Sequence, residues 1–236
     1  MEIMKLDIVY FCRPGDNEEL RYSIRSVVAN FPYNRIIIYG GKPDYIQPDI
    51  YRQITQHGAT AYHAVRNMIR QACADEEITP EFWLFNDDFF IMKPIADLKP
   101  QYNGTLADHI RTVELKQYGP TPYTEKLRHL YRTLYQTHPA GGFLDYAVHK
   151  PMKINRAKAR AVMDAYPYEP MFRALYGNIY NLGGENGPDC KFGSAVGDPK
   201  AKDLDIISTS DEAFTGGDIG QYIRAQFPEP SRYENG

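Results

Sequence analysis

Apolar positions gather into short runs, separated by stretches in which they recur at helical spacing. Residues 6–12, LDIVYFC, form one compact run bounded by Pro14-Gly15, the pattern of a buried strand. After Asp16-Asn17-Glu18-Glu19 the period changes. Leu20, Ile24, Val27 and Val28 then fall on one face of a helix over 20–29. Asp16 or Asn17 is its expected N-cap, and the acidic first turn complements the helix dipole. Residues 35–39, RIIIY, predict a second buried strand, stopped by Gly40-Gly41. Residues 61–74 predict a helix. Residues 82–85, FWLF, predict a third strand that runs straight into Asn86-Asp87-Asp88.

Strands alternating with helices imply βαβ units: an α/β, Rossmann-like fold with a mostly parallel central sheet flanked by helices. Ligands of such sheets bind beyond the carboxyl ends of the strands. The loop 13–19, Gly40-Gly41 and Asn86-Asp87-Asp88 are therefore expected on one edge. The second half is less regular. Residues 101–145, polar and aromatic, read as an inserted lid or acceptor region. Residues 151–165 read as a basic helix with Pro151 in its first turn. Residues 183–203 read as loop, 204–208 as a strand, 217–226 as a helix and 228–236 as an extended end. The length of 236 residues suits one domain over 1–236, with a regular half over 1–100 and a less regular half over 101–236.

Composition narrows the function classes. The net charge of −3 does not suit a dedicated nucleic-acid binder, so a nucleic-acid partner is not favoured. The 19 Tyr and 11 Phe suit strands, and also platforms that stack sugars or bases. Three cysteines, an odd count without metal-ligand spacing, point to a reducing compartment. The N-terminal apolar stretch is short and broken by Lys5 and Asp7, so neither a signal peptide nor a membrane span is expected. A cytoplasmic location follows as the expectation.

Four groups carry candidate chemistry. Asn86-Asp87-Asp88 sets two adjacent carboxylates at the end of an apolar strand. They either meet a hard divalent cation carrying a diphosphate or cap a surface turn. Arg21 and Arg25, four apart, share a helix face suited to phosphate, or pair locally with Glu18 and Glu19. His149 stands before the basic run Lys150, Lys153, Arg156, Lys158, Arg160; it is either a general base or a structural residue. Asp211 either reaches the same metal or caps the next element. Gly183-Gly184 and Gly216-Gly217 open neither a P-loop nor a dinucleotide fingerprint.

Asp7-Ile8-Val9-Tyr10, the run Asp16-Asn17-Glu18-Glu19-Leu20-Arg21-Tyr22-Ser23-Ile24-Arg25-Ser26 and Asn86-Asp87-Asp88-Phe89 together resemble the first two blocks of Stealth-type proteins. That family includes capsule hexose-1-phosphate transferases and the catalytic subunit of the lysosomal-enzyme N-acetylglucosamine-1-phosphotransferase. His149-Lys150-Pro151 with Tyr166-Pro167 resembles the third block, and Ile206–Asp211 with Phe227–Glu234 the fourth. The Trp-Val continuation of the first block is missing. The Arg-rich stretch after the third is echoed by Phe172–Asn178. The chain looks like a compact member, of a kind expected among phage-encoded glycosyltransferases.

The resemblance implies a GT-A-type, metal-dependent transferase that uses a nucleotide-activated sugar, with 1–236 as one catalytic domain, 1–100 its nucleotide-sugar-binding half and 101–236 its acceptor or lid half. It would move hexose-1-phosphate or a glycosyl group to a glycan or other acceptor hydroxyl. By the same resemblance Asp88, with Asp87 and Asp211, holds Mg²⁺ or Mn²⁺ on the donor diphosphate. Asp16, Asn17, Glu19 and Arg21, with Arg25 and Asn86, bind the donor. Arg173 contacts phosphate and His149 activates the acceptor. A carbohydrate- or nucleotide-binding module without turnover, and a transferase acting on modified DNA, are the competing readings.

Overall fold

The run at 6–12 becomes the centre of the molecule because both of its faces are apolar. Ile8, Tyr10 and Cys12 pack into one core and Val9 into another, on the opposite side of a sheet. The computed structural model describes residues 5–55 and 61–235; the first positions read for a leader, and the last of the tail, fall outside these. In chain order the first elements are β1 (Leu6–Cys12), α1 (Glu18–Asn30), β2 (Tyr33–Gly40), β3 (Ile50–Gln53), α2 (Ala61–Ala74), β4 (Glu81–Phe85) and β5 (Phe89–Ile91). The remainder are β6 (Gln101–Tyr102), α3 (Leu106–Lys116), α4 (Pro122–Thr137), β7 (Met152–Asn155), α5 (Arg156–Ala165), α6 (Phe172–Ile179), β8 (Glu185–Asn186), β9 (Lys191–Phe192), a 3-10 helix Pro199–Asp203, β10 (Ile206–Thr209), α7 (Asp211–Thr215) and α8 (Asp218–Gln226).

Five strands form the main sheet in the order β3-β2-β1-β4-β7. The first four are parallel and β7 runs antiparallel at the edge. This is the expected mixed α/β, mostly parallel, Rossmann-like arrangement. A second sheet, β5-β10-β9, carries the chain beyond β4. Helix α1 is tied to it by two buried serines: Ser23 Oγ donates to the Phe89 carbonyl, and Ser26 Oγ accepts from the Ile91 N–H at 2.9 Å. These bonds satisfy backbone groups of β5 that would otherwise be buried without partners.

Both halves of the sequence enter both sheets, since β7 pairs with β4 and β10 with β5. Along α1, Leu20, Ile24 and Val27 are buried as expected, but Val28 lies 37% exposed on the outer side. Asn17 is the N-cap, its side chain accepting from the Leu20 N–H at 3.0 Å. The basic segment departs further from expectation. Residues 152–155 are strand β7, with Met152 and Ile154 inward and Lys153 outward, and the helix begins only at Arg156, capped by Asn155. The strand read at 204–208 starts at Ile206. The loop read at 183–203 contains two short strands and a 3-10 helix, and the region 101–145 is largely the helices α3 and α4.

At the amino edge of the sheet, Asp7 is fully buried and ties β1 to its neighbours. It accepts from Asn34, from Arg35 and from the Thr79 N–H. Burial pushes its carboxyl up, but these donors outweigh it and hold Asp7 below the usual carboxylate range. Among the described residues, no helix is long and apolar enough to cross a membrane.

Candidate active site

The parallel register brings the carboxyl ends of β1, β2 and β4 level: Cys12 lies opposite Gly40, and Tyr10 opposite Phe85. The two glycines let the loops nest. The Gly41 N–H donates to the Cys12 carbonyl at 2.9 Å, and a Cβ at Gly41 would meet Pro14 Cα at 2.3 Å. Above this edge, Asn86, Asp87 and Asp88 turn three ways. Asn86 borders an apolar cavity, Asp87 lines an acidic cleft, and Asp88 points inward to the second sheet.

The acidic cleft, about 280 Å³, is bordered by Arg13, Asp16, Asn17, Glu19, Asp87 and Asp211 among others. Asn17 has a second role here, donating from Nδ2 to Asp87 Oδ2 at 2.6 Å. Burial, and then the charge of Asp88, raises the Asp87 carboxyl. Glu19 is pushed up to about 7, chiefly by burial. The hydrogen bond from Thr209 Oγ1 opposes this, and the charges of Asp88, Asp87 and Asp211 add to it. Asp16 accepts from the Tyr45 hydroxyl at 2.7 Å. Asp211 is exposed at the rim, 3.9 Å from Arg13, at the start of α7 behind the N-cap Ser210.

Asp88 is met from the second sheet. Its Oδ2 accepts from Lys191 Nζ and from Ser208 Oγ, each at 2.6 Å, and Lys191 also donates to the Thr209 carbonyl. An ammonium and a hydroxyl take the Asp88 oxygen that faces the second sheet, while Asp87 and Asp211 stay in the acidic cleft. Among the described residues, no group of three or more His, Cys, Asp or Glu is arranged to hold an ion.

On the other side of the turn lies a cavity of about 340 Å³. His149, Arg173 and Asn86 border it. Asp189 accepts from both the His149 N–H, at 2.9 Å, and the ring Nδ1, at 2.7 Å. Burial raises Asp189, but the bonds from His149 and the Cys190 N–H outweigh this and hold it below the carboxylate range. With Asp189 ionised, the proton of a neutral His149 resides on Nδ1, leaving Nε2 as an acceptor. Arg173 donates to the Lys150 carbonyl at 2.5 Å and to Asn86 Oδ1 at 3.3 Å, and lies over the Phe89 ring. Burial lowers its guanidinium to about 10, against the pull of Asp88, so it stays charged at neutral pH.

The expected residues thus divide. Asp16, Asn17, Glu19, Asp87 and Asp211 share the acidic cleft, while Asn86, His149 and Arg173 share the apolar cavity. Arg25 is not with either group. Its guanidinium is bound by Glu234 and by the Phe227 and Pro228 carbonyls, so it holds the C-terminal tail rather than a donor. Arg21 faces the same way, 4.0 Å over the Tyr45 ring and 3.4 Å from Glu234. Asp189, Lys191, Ser208 and Thr209 were not singled out from the sequence. Asp189 and Lys191 stand two apart, the spacing that aims side chains alike along an extended segment, and this was the available signal.

No family model matches the chain, and no curated protein is similar enough to be counted a relative.

Proposed function

We propose that the chain is a transferase that takes a nucleotide-activated sugar as donor and passes sugar-1-phosphate to an acceptor hydroxyl. The observation that carries this reading is the His149–Asp189 pair standing beside Arg173 and Asn86 at the carboxyl end of β4. A carboxylate-oriented imidazole and a charged guanidinium on one cavity are what a hydroxyl nucleophile and a phosphate require.

In this scheme the acceptor oxygen bonds to the sugar-proximal phosphorus, and its proton passes to His149 Nε2. The bond from that phosphorus to the oxygen bridging the two phosphates breaks. A nucleoside monophosphate leaves with the electron pair. Arg173 offers positive charge to the phosphoryl oxygens as charge develops. Asp16, Asn17, Glu19 and Asp87 hold the donor from the cleft, where carboxylates accept from sugar hydroxyls. We place the reaction in the cytoplasm, which suits the buried thiols Cys12, Cys73 and Cys190.

The test is turnover of a panel of nucleotide sugars by the purified protein, with the nucleotide product identified by mass spectrometry. Nucleoside monophosphate is the expected nucleotide, with the sugar phosphate joined to the acceptor, or released free where water takes the acceptor's place. Nucleoside diphosphate would mean attack at the anomeric carbon, that is, glycosyl transfer. Turnover of no donor in the presence of acceptor alcohols would overturn the reading.

A further inference from the structure

The two compartments that meet at Asn86-Asp87-Asp88 differ in chemistry. The cleft holding Asp87 is lined by carboxylates. The cavity holding His149 is walled by Val65 and Ile69 of α2, Leu84 of β4, Tyr123 of α4, and Met171 and Phe172. Arg66 also borders it, but its guanidinium is already bound by the carbonyls of Glu169, Met163 and Tyr166 at 2.5–2.9 Å, so it is not available to a ligand. The polar side chains left for recognition are few: Asn86, His149 and Arg173, the last bonded to Asn86 and to the carbonyl next to His149, and the hydroxyls of Tyr62 and Tyr123. At the mouth, Tyr62 and Val65 remain 36% and 41% exposed.

A sugar ring in this cavity would turn most of its hydroxyls toward aliphatic and aromatic walls, without partners. An apolar body would bury its surface there favourably. The volume, about 340 Å³, is at the small end of ligand pockets and suits a body of one or two rings. We propose that this cavity is the acceptor site and that the acceptor is an aryl or alkyl alcohol: an apolar body in the cavity, with its hydroxyl presented to His149. The donor sugar then lies across the turn, in the acidic cleft. This inference rests on the transferase reading above and deepens it.

The experiment compares 2-naphthol, cyclohexanol, glycerol and glucose as acceptors for the full chain, with the donor panel supplied and products read by mass spectrometry. The expected result is transfer to 2-naphthol or cyclohexanol with KM at least about tenfold below that for glucose, corresponding to one well-made contact. Val65→Asp, at the exposed mouth, raises that KM about tenfold with a much smaller change in kcat. Binding of 2-naphthol, read by its own fluorescence, weakens in parallel. Glucose or glycerol used as well as the apolar alcohols would overturn the inference. So would donor turnover with no transfer to either apolar alcohol, and so would displacement of 2-naphthol by the donor's free nucleoside, which would make the cavity a base site. Each of those three outcomes leaves the transferase reading standing. Absence of turnover for every donor sinks that reading itself.

Discussion

Lys191 sets its ammonium 2.6 Å from Asp88 Oδ2, on the side of the Asn86-Asp87-Asp88 turn that faces the second sheet. The pair is sheltered, with the Asp88 side chain 11% exposed and Lys191 30%. Lys191→Met removes the cation and leaves the carboxylate facing Ser208 alone. A loss of about 1–3 kcal/mol in unfolding free energy is expected. Because the vacated position is anionic, Mn²⁺ is expected to raise the melting temperature of Lys191→Met more than that of the parent chain. Differential scanning fluorimetry with and without Mn²⁺ reads both effects. Equal response of the two proteins would contradict the assignment of Lys191 as the cation that balances Asp88.

Glu19 makes stability depend on pH near neutrality. Its folded carboxyl is raised to about 7, above the ordinary value of 4.5. The folded state therefore binds more protons than the unfolded state between these values, and stability contributed by this group falls as pH rises from about 4.5 to 7. Below that window both states are protonated and the penalty is absent. Above it the full penalty of burying the charge among Asp87, Asp88 and Asp211 is present. Glu19→Gln, which can still accept from Thr209, is expected to stabilise the protein at pH 8 and to change little at pH 4. Chemical unfolding at the two pH values decides; a larger gain at pH 4 would be the wrong sign.

Arg25 is a structural tie. With Arg25 and Glu234 only 8% and 6% exposed, Arg25→Ala strands a buried carboxylate and releases the tail carbonyls. About 3–5 kcal/mol of stability is expected to be lost, with donor KM changed less than about twofold at a temperature where the variant is folded. A donor KM rising about tenfold or more without loss of stability would return Arg25 to the donor site.

Much of the sheet was legible because its signal is local. The runs at 6–12 and 82–85 are apolar on both faces, which is what a buried parallel strand demands, and they match β1 and β4 closely. Strand β7 was not legible. Its four residues alternate Met152 in, Lys153 out, Ile154 in, and become a strand only by pairing with β4, far away in sequence. Pro151 and the basic residues at 153–160 imitate a helix start instead. The site divides in the same way. Asn86-Asp87-Asp88 follows from a strand end, and Asn17 from a cap. Asp189 and Lys191 acquire their roles only when β9 pairs with β10 and a Gly- and Pro-rich loop folds back on His149. Arg21 and Arg25 show the converse: their helical spacing was read correctly, but the partner that claims that face, Glu234, lies at the far end of the chain.

In the proposed transfer from a nucleotide sugar, His149, held by Asp189, takes the acceptor proton. Steady-state transfer rates of the parent chain, His149→Ala and Asp189→Asn, measured with the donor and acceptor the parent turns over, test it most directly, with circular dichroism checking that each variant is folded. His149→Ala is expected to lose about 10²–10⁴-fold in kcat, and Asp189→Asn to lose less but in the same direction because the ring is no longer held in one tautomer. A folded His149→Ala variant that transfers at the parent's rate would contradict it.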